Sequence, residues 1–128
     1  MSYNNSKIVD YSFEESIEKV TEELKKEGFG ILTEIDVKAT LKKKLDVDFR
    51  KYTILGACNP PFAHKALEAE SHIGVLLPCN VIVQETKEGK VDVALVNPME
   101  SMKAVDNPKL GEIAAEVSER LSKVLQNL

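Results

Sequence analysis

The chain has 128 residues, 43% of them hydrophobic and 30% charged, which suits one soluble domain with a core of its own. This balance, with only two cysteines, excludes wholesale disorder, collagen and a disulfide scaffold. Seventeen Lys and Arg against 21 Asp and Glu leave a net charge of −4, a poor basis for nucleic-acid binding, which depends on neutralising phosphates.

The first seven residues are polar and carry no signal-peptide pattern. The longest apolar run, Ile73 to Leu77, is interrupted by Gly74 and stopped by Pro78, far short of the roughly 20 residues a membrane span needs. A cytoplasmic, reducing setting is therefore expected, with Cys58 and Cys79 as free thiols. The chain has no Trp and is 5% aromatic, which argues against a stacking platform for single-stranded nucleic acid.

A strand is predicted around Lys7–Tyr11. Ser12 and Glu15 then have capping-box spacing, and Phe13, Ile17, Val20 and Leu24 recur on one helical face. Lys25 and Lys26 complement the helix dipole, and Gly28 is the natural stop. A second strand is expected at Gly30–Ile35, and Asp36 caps a short helix with Val37, Leu41 and Leu45 four residues apart. Arg50 to Cys58 reads as a strand with Tyr52, Ile54 and Cys58 on one face and Thr53, Leu55 and Ala57 on the other. Asn59-Pro60-Pro61 opens another short helix. Val75–Thr86 and Lys90–Val96 form a hairpin turning at Glu88-Gly89, with Pro78 marking an edge, bulge or bend. Asn107-Pro108 starts the last helix, striped by Leu110, Ile113, Val117, Leu121 and Val124.

The order β-α-β-α-β-α-β-β-α predicts a single domain over residues 1–128. Its fold class is α+β: a two-layer sandwich with a mixed sheet of about five strands and helices mainly on one face. No linker or repeat divides it.

The residues with chemical potential gather around two interruptions in the regular pattern, Cys58-Asn59-Pro60 and Leu77-Pro78-Cys79-Asn80. Cys58 precedes a helix N-terminus, where the dipole favours a thiolate. Each cysteine also has a plain reading as a small buried hydrophobe. Pro60 and Pro61 remove two of the amides that would hold an anion there. His64 could serve a thiol as base, or simply be solvated. No CxxC, CxxCH or HExxH spacing is present, so no metal site is assigned from sequence. A site assembled in three dimensions from Cys58, Cys79, His64, His72, Met99 and Met102 would be soft, suited to copper(I) or haem. Lys42-Lys43-Lys44 reads as an exposed helix face diluted by Asp46 and Asp48.

Tyr52-Thr-Ile-Leu-Gly-Ala-Cys-Asn-Pro60, Ala63 and Leu67, and Gly74-Val-Leu-Leu-Pro-Cys-Asn-Val81 together resemble the bacterial and archaeal domain of unknown function family 302. The hairpin Val81–Val96 and its Asn97-Pro98-Met99 exit are similar to the same family's later segment. The resemblance runs from about the first helix to Met102. It implies a compact α+β fold, commonly a homodimer, with no established reaction.

The leading expectation is a small cytoplasmic, non-enzymatic domain that binds a small ligand or a soft metal and acts as a homodimer. Its ligand site would comprise Cys58, Asn59, His64, Pro78, Cys79 and Asn80. One alternative is a thiol-dependent enzyme or redox protein using Cys58. The other is an interaction module with both cysteines in the core. The final helix's stripe continues to Leu125 and Leu128, a surface a partner copy could cover.

Overall fold

The computed structural model describes residues 2–128. Five strands, β1 (Asn4–Val9), β2 (Gly30–Asp36), β3 (Tyr52–Cys58), β4 (Cys79–Glu85) and β5 (Val91–Val96), form one sheet in the order β1-β5-β4-β3-β2. The α+β sandwich is as expected, but every pairing is antiparallel rather than mixed. The reason lies in the connections. A strand–helix–strand unit makes parallel neighbours only if the helix returns the chain to the strand's starting end. Here α2 (Val37–Leu45) and α3 (Pro60–Ala69) each lead instead into a reversed neighbour. Helix α1 (Phe13–Lys26) carries the chain from one edge strand to the other.

The capping box forms: the Glu15 amide donates to Ser12 Oγ at 3.1 Å, and the Ser12 amide to Glu15 Oε1 at 3.4 Å. Val20 and Leu24 are fully buried, and with Val117, Leu121 and Val124 of α5 (Pro108–Gln126) they cover Leu55, Ala57, Val81, Val83, Val93 and Leu95 of the sheet. Burying side chains of this size contributes about 1.5–3 kcal/mol each before entropy is charged against it. The other sheet face carries a cross-strand row, Ile35, Ile54, Ile82 and Ala94, at most half-buried. Such one-sided burial is what antiparallel sheets allow.

Three local expectations are corrected. The segment before Pro78 is a 3-10 helical stretch, Ser71–Leu76, so the hairpin's first strand starts only at Cys79. Pro78 has no amide hydrogen to give a ladder, and it sits just outside β4, behind a cis Leu77-Pro78 bond. A one-turn helix, α4 (Pro98–Ser101), capped by Asn97, follows β5 where no helix is expected from so short an apolar run. Finally, Leu125 and Leu128 pack against the chain's own core, and the Lys7 ammonium donates to the Leu128 carbonyl at 2.6 Å. The end of the stripe is thus covered from within.

Candidate functional site

A cavity of about 320 Å³ opens at the end of the sheet where β3 stops and β4 begins, between α3, α5 and the 3-10 stretch. Its origin is a shortage of side-chain volume. Ala57 on β3, Ala63 and Ala66 on α3, Gly74 in the 3-10 stretch and Ala114 on α5 all face the same space. Small residues from four elements leave a hollow that larger ones would fill. Phe29, Leu32, Phe62, Leu67, Ile113 and Val117 complete much of the wall. No charged side chain lines it, and the wall is almost wholly carbon and sulfur.

Both cysteines reach this cavity and both are free. Cys79 lies directly opposite Ala57 in the β3–β4 ladder and shares its face of the sheet, whereas Cys58, one residue further, borders the cavity from the last position of β3. Burial, and to a lesser degree the nearby Cys58, pushes the Cys79 thiol up to about 11. Cys79 therefore stays protonated at neutral pH. Met102, just past α4, brings a third sulfur residue to the wall.

Asn59 is at the N-cap position of α3, yet its side chain makes no capping bond. Its Nδ2 instead donates to the Glu27 carbonyl at 3.2 Å, and the Arg120 guanidinium donates to the same oxygen at 3.1 Å. Arg120 also packs over the Phe62 ring, 5.1 Å from its centroid. This knot ties the turn after α1 to α3 and α5, fixing the cavity's walls. Gly56 fixes the other side. A Cβ there would collide with Thr33 Oγ1 and lie 2.8 Å from Pro78 Cγ, so only glycine lets β2 and Pro78 close over β3.

Of the six residues singled out in the sequence, Cys58, Asn59, Pro78 and Cys79 line the cavity and are brought together. The other two are not. Asn80 faces the opposite side of the sheet, paired with Gly56 and exposed, because successive strand side chains alternate. His64 points to solvent, with Nε2 3.4 Å from Glu68 Oε1 one turn along α3, and both side chains about three-quarters exposed. His72 is exposed as well, and Met99 is 41% exposed, so neither joins the soft-donor set. Among the described residues no three His, Cys, Asp or Glu side chains gather as a metal site. The apolar wall was not foreseen as a site, because its residues read as ordinary core; the cluster of alanines was its one signal.

The chain is thus a small antiparallel α+β sandwich with an apolar cavity, bordered by two thiols, at one end of its sheet. The model of the family described as domain of unknown function DUF302 matches residues 5–128, and the chain belongs to that family. A crystal structure of an uncharacterized conserved DUF302 protein from Bacillus stearothermophilus is similar, with a TM-score of 0.92 and 31% identity over 99% of this chain and 98% of that one. No curated protein matches the chain. Among the described residues, no helix is long and apolar enough to cross a membrane.

Proposed function

We propose that this domain is a binding module for a small, uncharged, largely apolar molecule held in the cavity beside Cys58 and Cys79. The observation that carries the reading is the hollow itself: about 320 Å³ with no charged side chain in its wall, at the lower end of the 300–1,000 Å³ typical of small-ligand clefts. A charged ligand would lose its hydration there without a partner. The polar groups available to orient a guest are few, chiefly the two thiols and the Asn59 amide. The outward-facing His64 favours binding over thiolate catalysis at Cys58, which needs an adjacent base, and the protonated Cys79 supplies no second thiolate.

The same proposal includes a homodimer in the cytoplasm. Its support is the uncovered sheet face, where Ile35 remains 46% exposed in the row with Ile54, Ile82 and Ala94. Sedimentation equilibrium tests it: a dimer mass weakened by Ile54→Glu is expected, and a monomer at all concentrations contradicts it. The cavity reading is tested by titrating the neutral fluorophore N-phenyl-1-naphthylamine. Saturable binding of one molecule per chain is expected, and an unsaturable response overturns the reading.

A further inference from the structure

We infer that the cavity selects a guest carrying a hydrogen-bond donor, a hydroxyl, and that Asn59 Oδ1 is the acceptor that makes the selection. The inference rests on the reading of this cavity as a binding site and narrows its guest to alcohols and phenols with a largely apolar body. Three helices of this chain start at an Asn-Pro pair: α3 at Asn59-Pro60, α4 at Asn97-Pro98 and α5 at Asn107-Pro108. In α4 and α5 the Asn oxygen caps the second helical residue, accepting from the Met99 amide at 3.2 Å and the Lys109 amide at 3.1 Å. In α3 the second residue is Pro61, which has no amide hydrogen to give. Asn59 makes no capping bond, although its backbone (φ −104°, ψ 99°) matches that of Asn97 (φ −102°, ψ 100°). The second proline leaves an oxygen without its ordinary partner.

Asn59 is 6% exposed and borders the cavity. Its Nδ2 is committed to the Glu27 carbonyl at 3.2 Å, which fixes the amide's orientation, since only the nitrogen can donate. The Oδ1, on the other branch of the amide, accepts from no described residue. Among the described residues no side-chain oxygen or nitrogen is both sealed off and unbonded. This oxygen is therefore open to a small molecule, and the hollow that Asn59 lines is the cavity. Asn97 shows what a hydroxyl does in such a setting. Its Nδ2 donates to the Ser2 carbonyl at 3.2 Å, while its Oδ1 takes the Ser118 hydroxyl, also at 3.2 Å. A guest hydroxyl would serve Asn59 as Ser118 serves Asn97. A guest with no donor would strip water from the oxygen and leave it unpaired, a larger loss than a made bond is a gain. The thiols of the wall do not offset that loss, because they are weak hydrogen-bonding groups.

The test is displacement of N-phenyl-1-naphthylamine by 1-naphthol and by 1-methoxynaphthalene, which share a ring system and differ in the donor. From the wild type, 1-naphthol should displace the fluorophore at about tenfold lower concentration. Asn59→Ala should bring the two competitors within about twofold of each other. Pro61 is exposed and lies outside the cavity wall, so Pro61→Ala leaves the hollow intact while restoring an amide at the second position of α3. Capping should then pair the oxygen and narrow the preference to about threefold. This second variant keeps the test decisive if Asn59→Ala misfolds through loss of the Glu27 bond. The extra bulk of the methoxy group acts alike in all three proteins, so a change in the ratio reports the donor. Equal potency of the two competitors on the wild type, or a tenfold preference that survives either substitution, overturns the inference. The cavity reading fails separately: it is lost if the fluorophore does not bind at all, whereas displacement by both naphthalenes alike removes only the donor requirement.

Discussion

Two hollows on this small domain have similar sizes, and only one of them has charged side chains in its wall. The one at the β3–β4 end measures about 320 Å³ and is walled by carbon and sulfur. The other, about 430 Å³, lies beside α2, where Asp36, Lys38, Lys42 and Asp48 join Ala39, Val47 and Phe49 in its wall. Helix α2 buries none of its residues, and Lys42 pairs with Asp46 at 2.9 Å and Asp48 at 3.6 Å in full contact with water. Exposed pairs of this kind contribute about 0–1 kcal/mol. Volume alone therefore does not mark a site. What distinguishes the thiol cavity is that burial changes the chemistry of its groups, as the raised Cys79 thiol demonstrates.

The comparison can be broken most forcefully through packing. Leu55→Ala, beneath the helices on β3, should cost about 2–5 kcal/mol in urea unfolding. Leu45→Ala on α2, where the side chain is 66% exposed, should stay within about 0.5 kcal/mol. Equal losses would mean that α2 is part of the core after all.

Alkaline titration gives the next largest effect. A thiol whose folded value is about 11 against an ordinary 9.0 is protonated in the folded state while the unfolded chain ionises. Its contribution to stability is full below pH 9 and is lost as pH rises toward 11, a change of up to about 3 kcal/mol. Cys79→Ala should flatten that part of the pH–stability curve. If the slope survives, another group causes it.

Binding comparisons come third. Ala63→Phe projects a ring into the small-residue hollow and should weaken N-phenyl-1-naphthylamine at least about tenfold, roughly 1.4 kcal/mol. Lys42→Ala, in the charged hollow, should leave it unchanged. The smallest effect is expected at His64, where His64→Ala should alter neither stability by more than about 0.5 kcal/mol nor fluorophore binding, as the imidazole meets only Glu68 and water. Loss of binding in that variant would return His64 to the site.

Much of this fold was legible in the chain. Ser12 with Glu15, Gly28, Asp36 and Asn107-Pro108 are local signals that act within one turn, and each sits where its chemistry places it. The sheet's sense was not legible, because strand direction depends on where connections lead in space rather than on any residue type. The candidate site was half legible. Cys58 and Cys79 stand out by type, and both border the cavity because the end of β3 lies beside the start of β4, a pairing that no single segment encodes. Asn80 was misplaced for the same reason: its neighbour in sequence, Cys79, faces the opposite side of the sheet. The alanines and Gly74 that create the hollow are individually unremarkable and matter only because four elements bring them together.

The central claim is that the thiol cavity, and not the charged hollow, receives a small apolar guest. Titrating N-phenyl-1-naphthylamine into wild type, Ala63→Phe and Lys42→Ala in parallel tests it most directly. Saturable binding in wild type and Lys42→Ala, with loss in a folded Ala63→Phe, is the predicted result. Equal binding by all three proteins, or none by the wild type, would contradict it.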